Sequence, residues 1–137
     1  MKKIIVGYDG SENGRRALER AAALTGKDGE LTVVSVVAAA PTTGSRGPST
    51  TPVVLEAAEH KRMLDEAASV LAGRGLSVET VEAFGDAGHG IVHEADQRGA
   101  DLIVVGTRGR NVVERLLLGS VSSKVVQNAH CDVLVVR

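Results

Sequence analysis

The chain has 137 residues, 43% hydrophobic and only 1% aromatic, which is enough for one domain with an aliphatic core. Its 16 Lys and Arg residues nearly balance 17 Asp and Glu residues, so a net charge of -1 excludes the broad positive field that collects nucleic acid or anionic membranes. A single cysteine, Cys131, excludes an internal disulfide and favours a reducing compartment. Asp9 interrupts the first apolar stretch too early for a secretory signal, and no window approaches the ~18 apolar residues of a membrane span. We therefore expect a cytoplasmic location.

The first third of the chain predicts a strand, a helix and a second strand. Ile4 to Val6 is a β-branched run, and Ser11 is a good N-cap for the helix that follows. Gly26 is a plausible stop for this helix, and a second strand is expected from Leu31 to Val37. The apolar face of the helix comprises Ala17, Leu18, Ala21 and Ala22.

Residues 38–52 contain all three prolines among Gly, Ser and Thr, a composition that predicts one long mobile loop. Thr51 and Pro52 at its end are expected to open a helix, as N-cap and first-turn proline. This helix should continue to about Ala72. Its predicted buried stripe comprises Met63, Ala67, Val70 and Leu71.

The last part of the chain continues the alternation. Strands are expected at 76–81, at 102–105, where the apolar run is typical of a buried parallel strand, and at 133–136. A helix from Asp86 to about Arg98 and a last helix with Val121, Val125 and Ala129 on one face separate them. The order βαβαβαβαβ predicts a single α/β domain with a doubly wound, five-stranded parallel sheet and helices on both faces.

A long-spaced glycine pattern is the most informative feature of the sequence. It runs Gly106-Thr107-Arg108-Gly109, nine residues, then Gly119-Ser120, from the end of a predicted strand to the start of a helix. Glycine lets backbone N–H groups approach phosphate oxygens, and the first N–H groups of a helix are unpaired and carry positive partial charge. We therefore predict a phosphate-binding loop. The alternative is that these glycines only terminate a strand and break a helix.

Three stretches of the chain resemble the ATP-binding branch of the universal stress protein family, whose motif is G-x2-G-x9-G-[ST]. They are this glycine pattern, the tail GSVSSKVVQNAHCDVLVVR and the start IIVGYDGSENGRRAL. The resemblance covers the whole chain apart from 38–52. It implies a Rossmann-like fold of the adenine nucleotide alpha-hydrolase type with strand order 3-2-1-4-5. In such a sheet the ends of the first and fourth strands lie side by side at the switch point, where open α/β sheets bind ligands.

The resemblance also implies a site for ATP or another adenine nucleotide. Asp9 would lie near the adenosine, the backbone of Val36 would bind the adenine edge, and a Mg or Mn ion would bridge the phosphates. Asp9 could instead be only a turn residue, because Asp-Gly favours turns. The remaining implied contacts are Val105 and Gly106 in the pocket, and Gly109, Arg110, Gly119, Ser120, Val121 and Ser122 around the phosphates.

Three weaker signals favour structural roles. His89 and His93 have metal-ligand spacing but no convergent third ligand, so we interpret them as solvated or half-buried side chains. His130 and Cys131 are adjacent at a strand entry and would point apart, so we interpret Cys131 as a core residue rather than a nucleophile. No metal site of the protein's own and no catalytic residue is predicted.

The apolar run from Val133 to Val136 would form an edge strand with nothing after it to cover it. The family resemblance implies that such a strand forms an isologous homodimer. A surface loop that shields the edge is the alternative.

The sequence is compatible with three functions. The chain could be a regulatory protein that binds ATP, a slow ATPase or phosphotransferase using the same site, or a dimeric interaction module without nucleotide. No Walker motif G-x4-G-K-[ST] and no obvious general base are present, which favours binding over cleavage. A receiver domain and a flavodoxin are disfavoured, because the chain lacks an acidic pair after the first strand and has only two aromatic residues, Tyr8 and Phe84.

Overall fold

The computed structural model describes residues 2–37, 50–107 and 119–137, with the side chains of 50–56 excepted. Five parallel strands form one sheet in the order β3-β2-β1-β4-β5, which confirms the predicted fold class and strand order. The elements are β1 (Lys3–Gly7), α1 (Glu12–Thr25), β2 (Glu30–Val37), α2 (Thr50–Ala72), β3 (Ser77–Phe84), α3 (Ala87–Arg98), β4 (Leu102–Gly106), α4 (Ser120–Asn128) and β5 (Asp132–Val136).

The core consists of two aliphatic layers, one on each face of the sheet. Alternate side chains of a strand point to opposite faces, so Ile4 and Val6 pack under α1 and α2, whereas Ile5 packs under α3 and α4. β4 divides in the same way, with Val104 in the first layer and Ile103 in the second. Burial on both faces explains why these strands are continuous β-branched runs.

Helix α2 corrects two sequence predictions. The helix already begins at Thr50, so Thr51 and Pro52 lie inside its first turn, where a missing backbone N–H costs no helical hydrogen bond. Leu64, Ala67 and Leu71 are buried, but Val70 is 56% exposed. The prediction of Val70 as a core residue is therefore wrong, because one residue of helix rotates it about 100° away from Leu71. Residues 38–49 of the predicted loop lie outside the described part.

Strand β3 is longer than the sequence predicted. It runs to Phe84 rather than stopping at Val81, because it pairs with β2 along its whole length up to Val37. Pairing with a buried neighbour extends the strand past the point at which its own alternation of apolar and polar residues fades.

Helix α3 begins with a side-chain cap that also joins it to α4. The carboxylate of Asp86 accepts a hydrogen bond from the His89 N–H at 3.0 Å and from Lys124 Nζ at 3.1 Å. These donors stabilise the charged form, so the His89 N–H first, and then Lys124, hold the pKa of Asp86 below its ordinary value.

Asp86→Ala should therefore lower the free energy of unfolding by about 1 kcal/mol, the usual effect of losing an N-cap. Because the folded-state pKa is lowered, the contribution of Asp86 is fully present above the unfolded-state pKa and is lost as the pH falls through the folded-state value. Urea unfolding at neutral and acidic pH measures both effects. Asp65→Ala, an exposed position on α2, is the control, and an equal loss of stability in the two variants would contradict the capping role.

Candidate functional site

The candidate site lies at the carboxyl edge of the sheet, where β1 and β4 are neighbours. After β1, which ends at Gly7, the chain continues through α1 to β2 on one side of β1. After β4, which ends at Gly106, it continues through α4 to β5 in the opposite direction along the sheet, so this edge is the switch point. The two strand ends are close in space, since a Cβ atom on Gly106 would lie 3.0 Å from the backbone of Asn13 in the first turn of α1. The structure thus brings the loop after β1 and the start of the glycine pattern together.

The backbone of Val36 occupies a distinctive position at this edge. Pairing of β2 with β1 stops at Val34, whose carbonyl accepts the Tyr8 N–H at 2.9 Å, whereas pairing with β3 continues to Val37. Backbone groups alternate between the two neighbours along a strand, so the peptide groups of Val36 face the β1 side, beyond the last residue of β1. The side chain of Val36 packs with the layer under α3, which leaves only its backbone for a ligand.

A buried polar pair holds α2 against β2 next to Val36. The hydroxyl of Ser35 lies within hydrogen-bond distance of Nδ1 of His60, and both side chains are buried. This pair is not predictable from the sequence, because the spacing of apolar residues carries no information about which polar side chains meet beneath a helix. The pair fixes α2 over the end of β2.

Asp9 follows β1 and has a partly structural role. Its Oδ1 atom accepts the Ser11 N–H at 2.9 Å, which is the turn role weighed as the alternative from the sequence. Gly14 leaves room for this carboxylate, since a Cβ atom there would lie 2.9 Å from Asp9 Oδ1. Within the described residues Oδ2 accepts no hydrogen bond, so one carboxylate oxygen of this half-buried side chain can still bind a ligand.

The first turn of α4 lies at the same edge. Gly119 is the N-cap, and the first intrahelical bond runs from the Ser123 N–H to the Gly119 carbonyl at 2.9 Å. The N–H groups of Ser120, Val121 and Ser122 precede that bond and have no acceptor within the helix. Together with the helix dipole they form an anion-binding end.

The hydroxyls in this turn differ in their availability. Ser122 is buried, and its hydroxyl donates toward the carbonyls of Thr107 and Gly119 at 3.0 and 3.1 Å, so it is already engaged. Ser120 is exposed and Val121 is half-buried. Ser120 is therefore the hydroxyl of this turn that faces solvent, whereas Ser122 can offer a ligand its backbone N–H.

Thr107 connects the elements at this edge of the sheet, a role that nothing in the glycine motif indicates. Its N–H donates to the Val136 carbonyl at 2.8 Å, and its carbonyl accepts the Gly119 N–H at 2.6 Å. Its hydroxyl accepts from the Asn13 side-chain amide at 3.1 Å. The residue thereby joins the last strand, the start of α4 and the start of α1.

The other predicted site residues divide into two groups. Val105 is 3% exposed and belongs to the core, so only its backbone can line a pocket, whereas Gly106 is partly accessible. Gly109 and Arg110, like Arg108, lie outside the described residues. The structure therefore brings together the following predicted residues: Asp9, Val36, Val105, Gly106, Gly119, Ser120, Val121 and Ser122.

The weaker sequence signals correspond to exposed or half-buried side chains. The side chain of His89 is 68% exposed beside Asp86, and His93 is exposed as well. Cys131 is half-buried rather than fully in the core, and its burial, followed by Asp132 and more distant carboxylates, raises the pKa of its thiol. A raised pKa disfavours the thiolate that a nucleophile needs. Across residues 2–37, 50–107 and 119–137, no three His, Cys, Asp or Glu side chains are arranged to hold a metal ion.

None of the helices in the described ranges combines the length and apolar character needed to cross a membrane.

The family model described as "Universal stress protein family" matches residues 1–137. Universal stress protein YxiE of Bacillus subtilis is 35% identical over 98% of this chain and 98% of its own length. Among solved structures, universal stress protein UspA from Lactobacillus plantarum has a TM-score of 0.85 at 28% identity, covering 99% of this chain and 97% of its own. A universal stress protein in complex with cAMP has a TM-score of 0.75 at 27% identity, with 99% and 97% covered.

Proposed function

This chain belongs to the universal stress protein family, and on that basis we propose that it binds an adenine nucleotide, ATP in the first instance, as a nucleotide-dependent switch in stress regulation. The observation that carries the proposal is the convergence at one sheet edge of the α4 N-terminus, Gly106 and the backbone of Val36. The similar protein solved in complex with cAMP supports a ligand of this chemical class.

The adenosine part of the ligand is assigned to the ends of β1 and β2. The peptide groups of Val36 lie beyond the end of β1 and can pair with the edge of a purine as a further strand would. Oδ1 of Asp9 is bonded to the Ser11 N–H in the turn, whereas Oδ2 is a suitable acceptor for ribose hydroxyls. The Val36 backbone and the Asp9 carboxylate can both form hydrogen bonds with uncharged groups, which is what a purine base and a ribose offer.

The phosphates are assigned to the first turn of α4. The N–H groups of Ser120, Val121 and Ser122 provide donors and positive partial charge, and Ser120 adds an exposed hydroxyl. Gly109 and Arg110 complete this part of the proposal from the sequence motif alone. A Mg or Mn ion would be held mainly by the phosphate oxygens, as is usual for Mg²⁺ on nucleotides.

We infer that the site holds its nucleotide rather than cleaving it. Asp9 is the carboxylate that follows β1, and we assign the oxygen that the Ser11 N–H does not engage to the ribose rather than to an attacking water. The sequence has no Walker lysine. We also propose a homodimer through β5, one of the two outer strands of the described sheet, and a cytoplasmic location in keeping with a single cysteine.

Mass spectrometry of the small molecules released from the purified protein tests this function. We expect an adenine nucleotide in near-stoichiometric amount, and the spectrum distinguishes ATP, ADP, AMP and cyclic AMP. A steady-state assay for phosphate release on the same sample tests the inference that the site does not cleave ATP. If the wild type hydrolyses many ATP molecules per minute and Asp9→Asn does not, the protein is an ATPase rather than a switch.

A further inference from the structure

Asn13 and Thr107 are 94 residues apart, and their side chains form a direct bond across the switch point. The Asn13 Nδ2 atom donates to Thr107 Oγ1 at 3.1 Å, and both residues are partly buried. Asn13 lies in the first turn of α1 and Thr107 directly after β4, so this bond joins the start of α1 to the segment after β4, and both border the proposed nucleotide site.

The backbones around this bond are also in close contact. A Cβ atom on Gly106 would lie 3.0 Å from the carbonyl carbon, Cβ and carbonyl oxygen of Asn13, so a side chain at position 106 would push the two backbones apart. Gly106 therefore allows the segment after β4 to lie against the start of α1, and the side-chain amide of Asn13 adds a directional hydrogen bond between them. Glycine spacing alone does not set this geometry.

Thr107 transmits the contact to the phosphate side of the site. The carbonyl of Thr107 accepts both the Gly119 N–H at 2.6 Å and the Ser122 hydroxyl at 3.0 Å. A rotation of the Thr107 peptide would therefore change the hydrogen bonds to the Gly119 N–H and to the Ser122 hydroxyl at the same time. The orientation of the first turn of α4, whose N–H groups are the proposed phosphate donors, thus depends on how firmly Thr107 is held.

We propose that Asn13 is a positioning residue for the phosphate half of the nucleotide site, acting through Thr107 on the first turn of α4. The role rests on the proposed nucleotide-binding function and adds a residue outside the glycine motif to it. Alanine is a better helix former than asparagine, so a change to alanine costs α1 no intrinsic helix stability. A merely structural contact would not distinguish ATP from adenosine, so the difference between their affinities reports the positioning role.

The test compares Asn13→Ala with Asn128→Ala by calorimetric titration with ATP and with adenosine. Asn128 is the matched control, because its Nδ2 also donates a single hydrogen bond, to the Lys124 carbonyl at 2.8 Å, but at the far end of α4. We expect Asn13→Ala to weaken ATP binding by about five- to tenfold, the effect of one positioning hydrogen bond, and to leave adenosine binding unchanged. Asn128→Ala should change neither affinity.

A second pair of variants isolates the bond itself. Thr107→Ser keeps the acceptor oxygen and should bind ATP like the wild type, whereas Thr107→Val should lose affinity as Asn13→Ala does. The double variant Asn13→Ala with Thr107→Val should be no weaker than either single variant, because both remove the same interaction.

The outcomes separate this role from the function on which it rests. Wild-type protein that binds no adenine nucleotide would overturn the proposed function before any variant is compared. If the wild type binds ATP but Asn13→Ala matches Asn128→Ala, loses ATP and adenosine equally, or adds its effect to that of Thr107→Val, the positioning role is wrong while the function stands.

Discussion

Gly119→Val is expected to reduce ATP affinity by at least about 100-fold while the protein still folds, since a branched side chain would stand at the N-cap of α4 where the phosphates are proposed to bind. The backbone of Gly119 has φ -69° and ψ 168°, a conformation that any L residue adopts. The position is buried, and its N–H bonds the Thr107 carbonyl, so valine adds volume directly at the start of the turn that is proposed to bind the phosphates.

Gly73→Val is the matched control for this substitution. Among the described residues, a Cβ atom on Gly73 would meet the carbonyl oxygens of Val70 and Ser69, at 3.4 and 3.7 Å, which is ordinary contact. Gly73 follows α2 at the opposite edge of the sheet. Calorimetric titration gives the affinity and thermal unfolding checks the fold. Retained ATP affinity in folded Gly119→Val would remove the phosphate site from α4.

Leu71→Ala is expected to lower the free energy of unfolding by about 2–5 kcal/mol, the range for truncating a buried leucine. Leu71 is 1% exposed and packs with Ile4, Val33 and Ala67 in the layer between α2 and the sheet. Its truncation leaves a cavity that rigid strands on one side cannot fill. Urea unfolding followed by circular dichroism measures the loss.

The neighbouring residue provides the control for Leu71. Val70 is 56% exposed, so Val70→Ala should change stability by no more than about 0.5 kcal/mol, the usual range for surface substitutions. Equal losses at positions 70 and 71 would mean that α2 is rotated relative to the structure described above.

This pair also illustrates how far the sequence could predict the fold. β-branched runs and helical spacing were sufficient for the order and type of the elements, because burial on both faces requires them. Adjacent apolar residues such as Val70 and Leu71 fit helical spacing equally well, and only the packing of α2 on β2 decides between them. The full length of β3 likewise depends on its pairing with β2.

The site was predictable to a similar extent. The glycine motif and the ends of the first and fourth strands identified one sheet edge, since a switch point follows from strand order. The bond between Asn13 and Thr107 and the buried pair of Ser35 and His60 were not predictable. Each pair joins residues on different elements, whose relative position is a property of the folded sheet. None of the four residues is unusual at its place in the sequence.

We propose above that this sheet edge binds an adenine nucleotide. The most direct test is an equilibrium titration of ATP into nucleotide-stripped wild-type protein, with GTP in a parallel titration and adenosine as competitor. We predict saturable ATP binding that adenosine weakens and that GTP does not reproduce, because the backbone of Val36 faces the base edge in the proposed pose. Absence of ATP binding up to roughly millimolar concentration, or equal binding of GTP, would contradict the claim.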